Sequence, residues 1–187
     1  MQKTELLQHG KYYHIYNRGI NSAPIFFEKE NYNYFLKLYA HHVDPVAETV
    51  AWCLMKNHFH FLVRIKEEVQ AETAKLPHQC FSNLFNAYAK AINKRYNRHS
   101  SLFQRAFKRK MVEDEIYLKR LILYIHHNPV HHRICEWIED YPWTSYPSYI
   151  VPEPGLLKQE TIRDYFSDLS HFKELHRQKT ELNHLEF

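Results

Sequence analysis

The stretch that most limits how this chain can fold is a pair of strand-like runs, Thr49–Met55 and His58–Val63, separated only by Lys56 and Asn57. Two such runs joined by so short a connection predict a hairpin, extending from about Thr49 to Lys66. Side chains at i and i+2 of a strand share a face. His58 and His60 therefore stand side by side, while Phe59 and Phe61 point into the opposite layer. Two imidazoles in that relation can hold one divalent cation between them. Two ordinary histidines in an apolar strand give the same pattern. The chain has fifteen histidines, so the pair alone leaves both readings open.

The elements around the hairpin suggest a fold. Lys11 to Gly19 reads as a first strand, ended by the glycine. Tyr32, Phe35, Leu36 and Tyr39 follow helical spacing, which predicts a helix over about Lys29–His42, broken by Asp44-Pro45. After an acidic, Ala-rich connection, Phe81, Leu84, Phe85, Tyr88, Ile92 and Tyr96 mark a second helix from Pro77 to about Asn97. Phe107–Val112 reads as a fourth strand. Asp114 is a suitable N-cap for a third helix, which is expected to end at Asn128 before Pro129. The order β-α-β-β-α-β plus a helix predicts an α+β fold, a ferredoxin-like split βαβ antiparallel sheet with helices on one face. Residues 139–146 are rich in proline and aromatics and are expected to lie against this domain. Gln159–Phe166 and Ser170–Glu186 read as short helices. The predicted organisation is a domain over 1–150 and an acidic helical C-terminal extension over 151–187.

Composition removes several classes of function. With only three glycines in 187 residues, no Gly-rich phosphate loop can form, which excludes Walker-type and Rossmann-type nucleotide binding. Cys53, Cys80 and Cys135 are widely spaced, and an odd count suits reduced thiols. Met1–Gly10 is polar and lacks the apolar core of a signal peptide. No run approaches the roughly 20 apolar residues of a membrane span. These features predict a cytoplasmic protein without a membrane partner.

Charge is unevenly spread. The net charge is +4, yet residues 90–120 carry ten lysines and arginines against three acids. Lys90, Lys94, Arg95, Arg98, Arg105, Lys108 and Lys110 are thus candidates to meet a polyanion, with Tyr96 or Phe103 nearby to stack on an unpaired base. On the third helix, Tyr117, Leu121, Tyr124 and Asn128 fall along one stripe, beside an apolar stripe of Leu118, Ile122 and Ile125. That helix laid over the sheet would bring a phenol and an amide towards the two imidazoles.

Several ordered motifs resemble a known family. They are His58-Phe59-His60, Ser101-Leu102-Phe103-Gln104-Arg105, Tyr124-Ile125-His126-His127-Asn128-Pro129-Val130 and Asp140-Tyr141-Pro142-Trp143-Thr144-Ser145-Tyr146. Over about residues 10–150 the chain resembles the single-tyrosine His-hydrophobe-His transposases of the insertion sequence 200/605 type. It looks most like their branch associated with repetitive extragenic palindromes (REP). The resemblance implies a metal-dependent endonuclease and strand transferase acting on single-stranded or hairpin DNA, as a monomer or a homodimer. Tyr124 would be the nucleophile, and His58, His60 and Asn128 would hold Mg²⁺ or Mn²⁺. A lysine three residues after the tyrosine, as in plasmid replication initiators, is absent after Tyr124. Two other readings stay open: a DNA-binding protein of this fold without cleavage, and a structural metal-binding protein built on His126, His127, His131 and His132.

Overall fold

In the computed structural model, residues 6–67, 76–151 and 165–178 are described. The sheet consists of β1 (Tyr12–Arg18), β2 (Ala47–Met55), β3 (His58–Ile65) and β4 (Lys108–Val112). Its order is β2-β3-β1-β4, with every neighbouring pair antiparallel. Met55 pairs with His58, so Lys56-Asn57 is the tight connection expected. Helices α1 (Lys29–His42) and α2 (Pro77–Arg95) connect the strands, and α3 (Glu115–His131) follows β4. Two further α-helices, α4 (Tyr146–Ile150) and α5 (Leu169–Arg177), and short 3-10 turns at Ile20–Ser22 and Ile138–Asp140 complete the described part. The fold is α+β, as the element order predicted.

The two faces of the sheet carry separate cores. Phe59 and Phe61 of β3 join Tyr13 and Ile15 of β1, and meet Phe35 and Tyr39 of α1 and Phe81, Phe85 and Tyr88 of α2. Each fully buried phenylalanine here stabilises the fold by roughly 1.5–3 kcal/mol. The opposite face carries Val50, Ala51, Cys53 and Leu62, which pack on Leu118, Leu121, Ile122 and Ile125 of α3. The expectation of helices on one face therefore holds for α1 and α2, while α3 covers the other. The reason lies in the hairpin, which is apolar on both faces. A sheet with two apolar faces needs cover on both.

Caps set the helix starts. Glu28 and Asn31 form a reciprocal capping box at α1, and Asp114 accepts from Tyr117 N at 2.6 Å. Pro77 starts α2, where its missing N–H costs nothing. The third helix does not stop at Asn128 but runs through Pro129 to His131. A proline removes only its own N–H, and the next turn still closes through His132 N to Asn128 O at 3.0 Å.

Residues 143–145 cover the outer edge of β2. Leu54 N donates to Trp143 O at 2.8 Å and Ser145 N to Trp52 O at 2.9 Å, with a bridge between Cys53 and Thr144. The expectation that 139–146 lies against the domain is met. Of the two tail helices expected, Gln159–Phe166 lies almost wholly outside the described residues, and Ser170–Glu186 is described only to Gln178, as α5.

A buried chain of hydrogen bonds attaches α5. His176 Nδ1 lies 2.7 Å from Phe172 O and must donate to it. Its Nε2 then accepts from His126 Nδ1 at 2.8 Å. His126 Nε2 in turn accepts from Ser145 Oγ at 2.7 Å, and Ser145 Oγ accepts from Trp52 N at 2.9 Å. Ser145 Oγ also lies 3.3 Å from Trp52 O, and giving its proton to the shorter contact with His126 leaves both imidazoles neutral. Burial pushes the pKa of His126 well below the ordinary range, and that of His176 to about 3.

Candidate active site

His58 opens β3 immediately after the hairpin turn, and period two places His60 on the same face, under α3. The two rings stand 5.3 Å apart, nearly perpendicular. Asn128, in the last turn of α3, brings its Oδ1 to 3.1 Å from His58 Nε2. One turn earlier Tyr124 sets its ring edge-on to His60, with centroids 5.6 Å apart. Helical spacing of four and strand spacing of two thus bring all four expected residues together.

Gly19 shapes the mouth of the site. A Cβ there would lie 2.0 Å from Ala23 O, so only glycine lets the chain turn back at the end of β1. Residues 102–104 pair beside it with the end of β1, Gln104 N donating to Arg18 O at 2.9 Å. An open pocket of about 400 Å³ results, lined by His58, His60, Tyr124, Arg18, Arg105 and Lys108.

Burial lowers the pKa of both histidines, that of His58 to about 4 although the nearby Asn128 amide oxygen favours its protonated form, and that of His60 well below the usual range. Both are neutral imidazoles at physiological pH, the form that binds a metal. Burial raises the pKa of Tyr124, partly offset by the Asn128 side chain and the positive charge of Arg18. The phenol is protonated at neutral pH and needs help to attack.

Proton positions at His58 fit a cation. Asn57 Nδ2 donates to Ser22 O at 3.1 Å, which turns Asn57 Oδ1 towards His58 Nδ1 at 2.7 Å. His58 Nδ1 then carries the proton, and Nε2 presents a lone pair to Asn128 Oδ1, another acceptor. The Asn128 Nδ2 atom is buried, and its N–H is what favours the ionised Tyr124 phenol. A cation between His58 Nε2 and Asn128 Oδ1 would use both lone pairs. Imidazoles by themselves suit Zn²⁺ or similar ions, and the Asn128 oxygen, with phosphate and water, adds the oxygen donors that Mn²⁺ or Mg²⁺ prefers.

The basic residues do not form one surface. Arg105 and Lys108 line the pocket, and Lys110 continues that face of β4. Lys90, Lys94 and Arg95 lie instead on exposed positions of α2, the helix packed on the other face of the sheet. Arg95 is ion-paired with Glu28 at 2.6 Å, and Arg98 lies 5.8 Å from the Phe27 ring. The run breaks up because strand and helix residues adjacent in sequence leave on different layers. Nor are the expected stacking residues available: Phe103 is buried, and Tyr96 bonds Glu28 at 2.7 Å. Tyr16 is the aromatic ring in the pocket besides Tyr124 and the histidines.

The alternative cluster does not assemble. His126 is committed to the α5 attachment, whereas the His132 ring lies 4.9 Å from that of His58. Among the described residues, no group of three or more His, Cys, Asp or Glu is placed to hold a metal. The sequence reading missed Arg18 and Tyr16, which line the pocket, Asn57, which bonds His58, and His14. His14 is fully buried and places its Nε2 2.8 Å from His60 Nδ1.

No family model matches the chain. Over 110 residues it is 30% identical to a Haemophilus influenzae protein whose name is that of a REP-associated tyrosine transposase. The matched part is 53% of this chain and 58% of the relative, so the chain spans less than two thirds of that protein's length. The solved structure of a REP-associated tyrosine transposase bound to a REP hairpin has a similar fold. It superposes with a TM-score of 0.63 at 12% identity, over 81% of this chain and 86% of that one. The sequence relative bears the name of the family that the motifs resemble, and the solved structure shares the fold.

Proposed function

We propose that the chain is a metal-dependent single-stranded DNA endonuclease and strand transferase, with Tyr124 as its nucleophile. The observation that carries this reading is the meeting of Tyr124, His58, His60 and Asn128 at one pocket with cationic walls. The sequence likeness to a REP-associated tyrosine transposase supports it. Hairpin-forming DNA is the substrate class proposed, because the solved structure of similar fold is bound to a REP hairpin. The catalytic unit would be residues 1–150, with 151–187 as a C-terminal extension.

His58 Nε2, His60 and Asn128 Oδ1 would hold the divalent ion. When bound, that ion supplies charge neutralisation at the scissile phosphate. Arg18, Arg105 and Lys108 would grip the phosphates on either side. The Tyr124 oxygen forms a bond to phosphorus, the bond to the 3′ oxygen breaks, the phenolic proton passes to solvent, and solvent returns a proton to the departing 3′ oxygen. The products are a 5′-phosphotyrosine and a free 3′-hydroxyl. The phosphodiester's energy stays in the protein link, so rejoining needs no nucleotide, consistent with a chain too poor in glycine for a phosphate loop.

The test is incubation with labelled single-stranded palindromes from DNA flanking the gene, with Mg²⁺ or Mn²⁺, followed by denaturing gels. Metal-dependent cutting with a covalent protein–DNA product is expected. Binding without cutting under every metal condition would leave the DNA-binding reading in its place.

A further inference from the structure

Resting on the metal reading above, we infer that His14 and Asn57 are the positioning residues that make both histidines ligate through Nε2. Each histidine of the pair has its Nδ1 held by a residue outside the pocket. His58 Nδ1 lies 2.7 Å from Asn57 Oδ1, and His60 Nδ1 lies 2.8 Å from His14 Nε2. The two supports have different origins. Asn57 is the second residue of the hairpin turn, and Ser22 O fixes its orientation through the Nδ2 bond of 3.1 Å. His14 belongs to β1, where Tyr16 is the residue directly opposite His60. His14 therefore reaches His60 diagonally, along the same face of the sheet.

Packing holds the second support in place. His14 is fully buried, and its ring stacks on Tyr16 at 4.6 Å and on His60 at 5.1 Å. With Nδ1 taken on the sheet side, the edge of His60 bearing Nε2 is turned to the pocket and Tyr124. Neither support lines the pocket, so each acts through the histidine it holds. An outer partner of this kind fixes the tautomer and ring orientation of a metal-ligating histidine, and its removal typically lowers metal affinity roughly 10- to 100-fold. The turn thus imposes Nδ1–H with an Nε2 lone pair on His58 through the oriented Asn57 amide, and the same arrangement holds at His60 when His14 Nε2 accepts and His14 carries its own proton on Nδ1.

Two measurements on the full chain test this, neither needing DNA. Long-range ¹H–¹⁵N spectra of the metal-free protein should show His58 and His60 as Nδ1–H tautomers. A resting Nε2–H tautomer at either would overturn the inference for that residue. Titration with Mn²⁺ alone, by calorimetry or by the spin resonance of the free ion, should show tenfold or greater weakening in His14→Phe and Asn57→Ala. His14→Gln, whose amide oxygen can replace the acceptor, and Asn57→Asp should bind within about threefold of wild type. A merely structural role would lower the melting temperature without that rescue pattern. Wild-type affinity in His14→Phe and Asn57→Ala, or equal losses in His14→Gln and His14→Phe, would remove the positioning role. Failure of the wild type itself to bind Mn²⁺ would overturn the metal reading beneath it.

Discussion

Lys110 Nζ lies 3.2 Å from the Tyr117 hydroxyl and 5.0 Å from the centre of its ring. The contact holds Tyr117 against β4 and outside the pocket, two helical turns before Tyr124. Tyr117 shares the Tyr124 stripe and is the tyrosine that sequence spacing makes its strongest rival.

The nucleophile prediction follows from that separation. Tyr124→Phe removes one oxygen from a half-buried ring, so the fold, DNA binding and Mn²⁺ binding should persist. Cleavage and the covalent adduct should vanish together, while Tyr117→Phe should cut at a rate close to wild type. Mass spectrometry of the wild-type adduct should place the DNA on Tyr124. Finding it on Tyr117 would refute the assignment.

Asn128 separates two roles in one residue. As a metal-holding oxygen, its replacement by Ala should raise the Mn²⁺ concentration needed for half-maximal cutting by roughly tenfold or more, while Asp should retain partial activity. As a helix-end residue, Ala would lower stability and leave the metal requirement unchanged. Cutting titrated against Mn²⁺, beside a melting curve, distinguishes them.

DNA affinity should depend on which layer a cation occupies. Arg105→Ala with Lys108→Ala should weaken single-stranded DNA binding and flatten its salt dependence, by roughly 0.7 in logarithmic slope for each phosphate no longer neutralised. Lys94→Ala with Arg95→Ala, on the far layer and partly neutralised by Glu28, should change affinity much less. Equal effects from the two pairs would show that the strand also wraps α2.

Acid should loosen the attachment of α5. The folded state holds the pKa of His176 near 3, against about 6.5 unfolded, so the unfolded chain binds more protons between those values. Its contribution to stability is complete above pH 6.5 and is lost as pH falls towards 3. At pH 5 the loss is about 2 kcal/mol for such a histidine. His176→Gln should be less stable than wild type at pH 7 but show a shallower fall between pH 7 and 5. Denaturant unfolding at both pH values measures this, and identical slopes would contradict it.

Much of this was legible in the sequence because it depends on local periods. Alternation placed His58 and His60 together, and spacing by four placed Tyr124 with Asn128. What escaped depends on pairings between distant segments. His14 meets His60 only through the β1–β3 register, which neither strand's own pattern states. The separation of Lys94 from Lys108 likewise arises from helix and strand lying on different layers. Pro129 misled because proline forbids one hydrogen bond, not a whole final turn.

The bonds from Trp143 and Ser145 to β2 bear on how the chain avoids its own copies. An unpaired strand edge invites pairing with another molecule, and β2 is nine residues long and almost wholly buried. The other edge, β4, is five residues long and carries exposed Lys108 and Lys110, features that discourage such pairing. A chain ending before Trp143 would strip β2 of its cover and expose an apolar edge to intermolecular strand addition. Residues that look like a trailing segment thus protect the fold against aggregation.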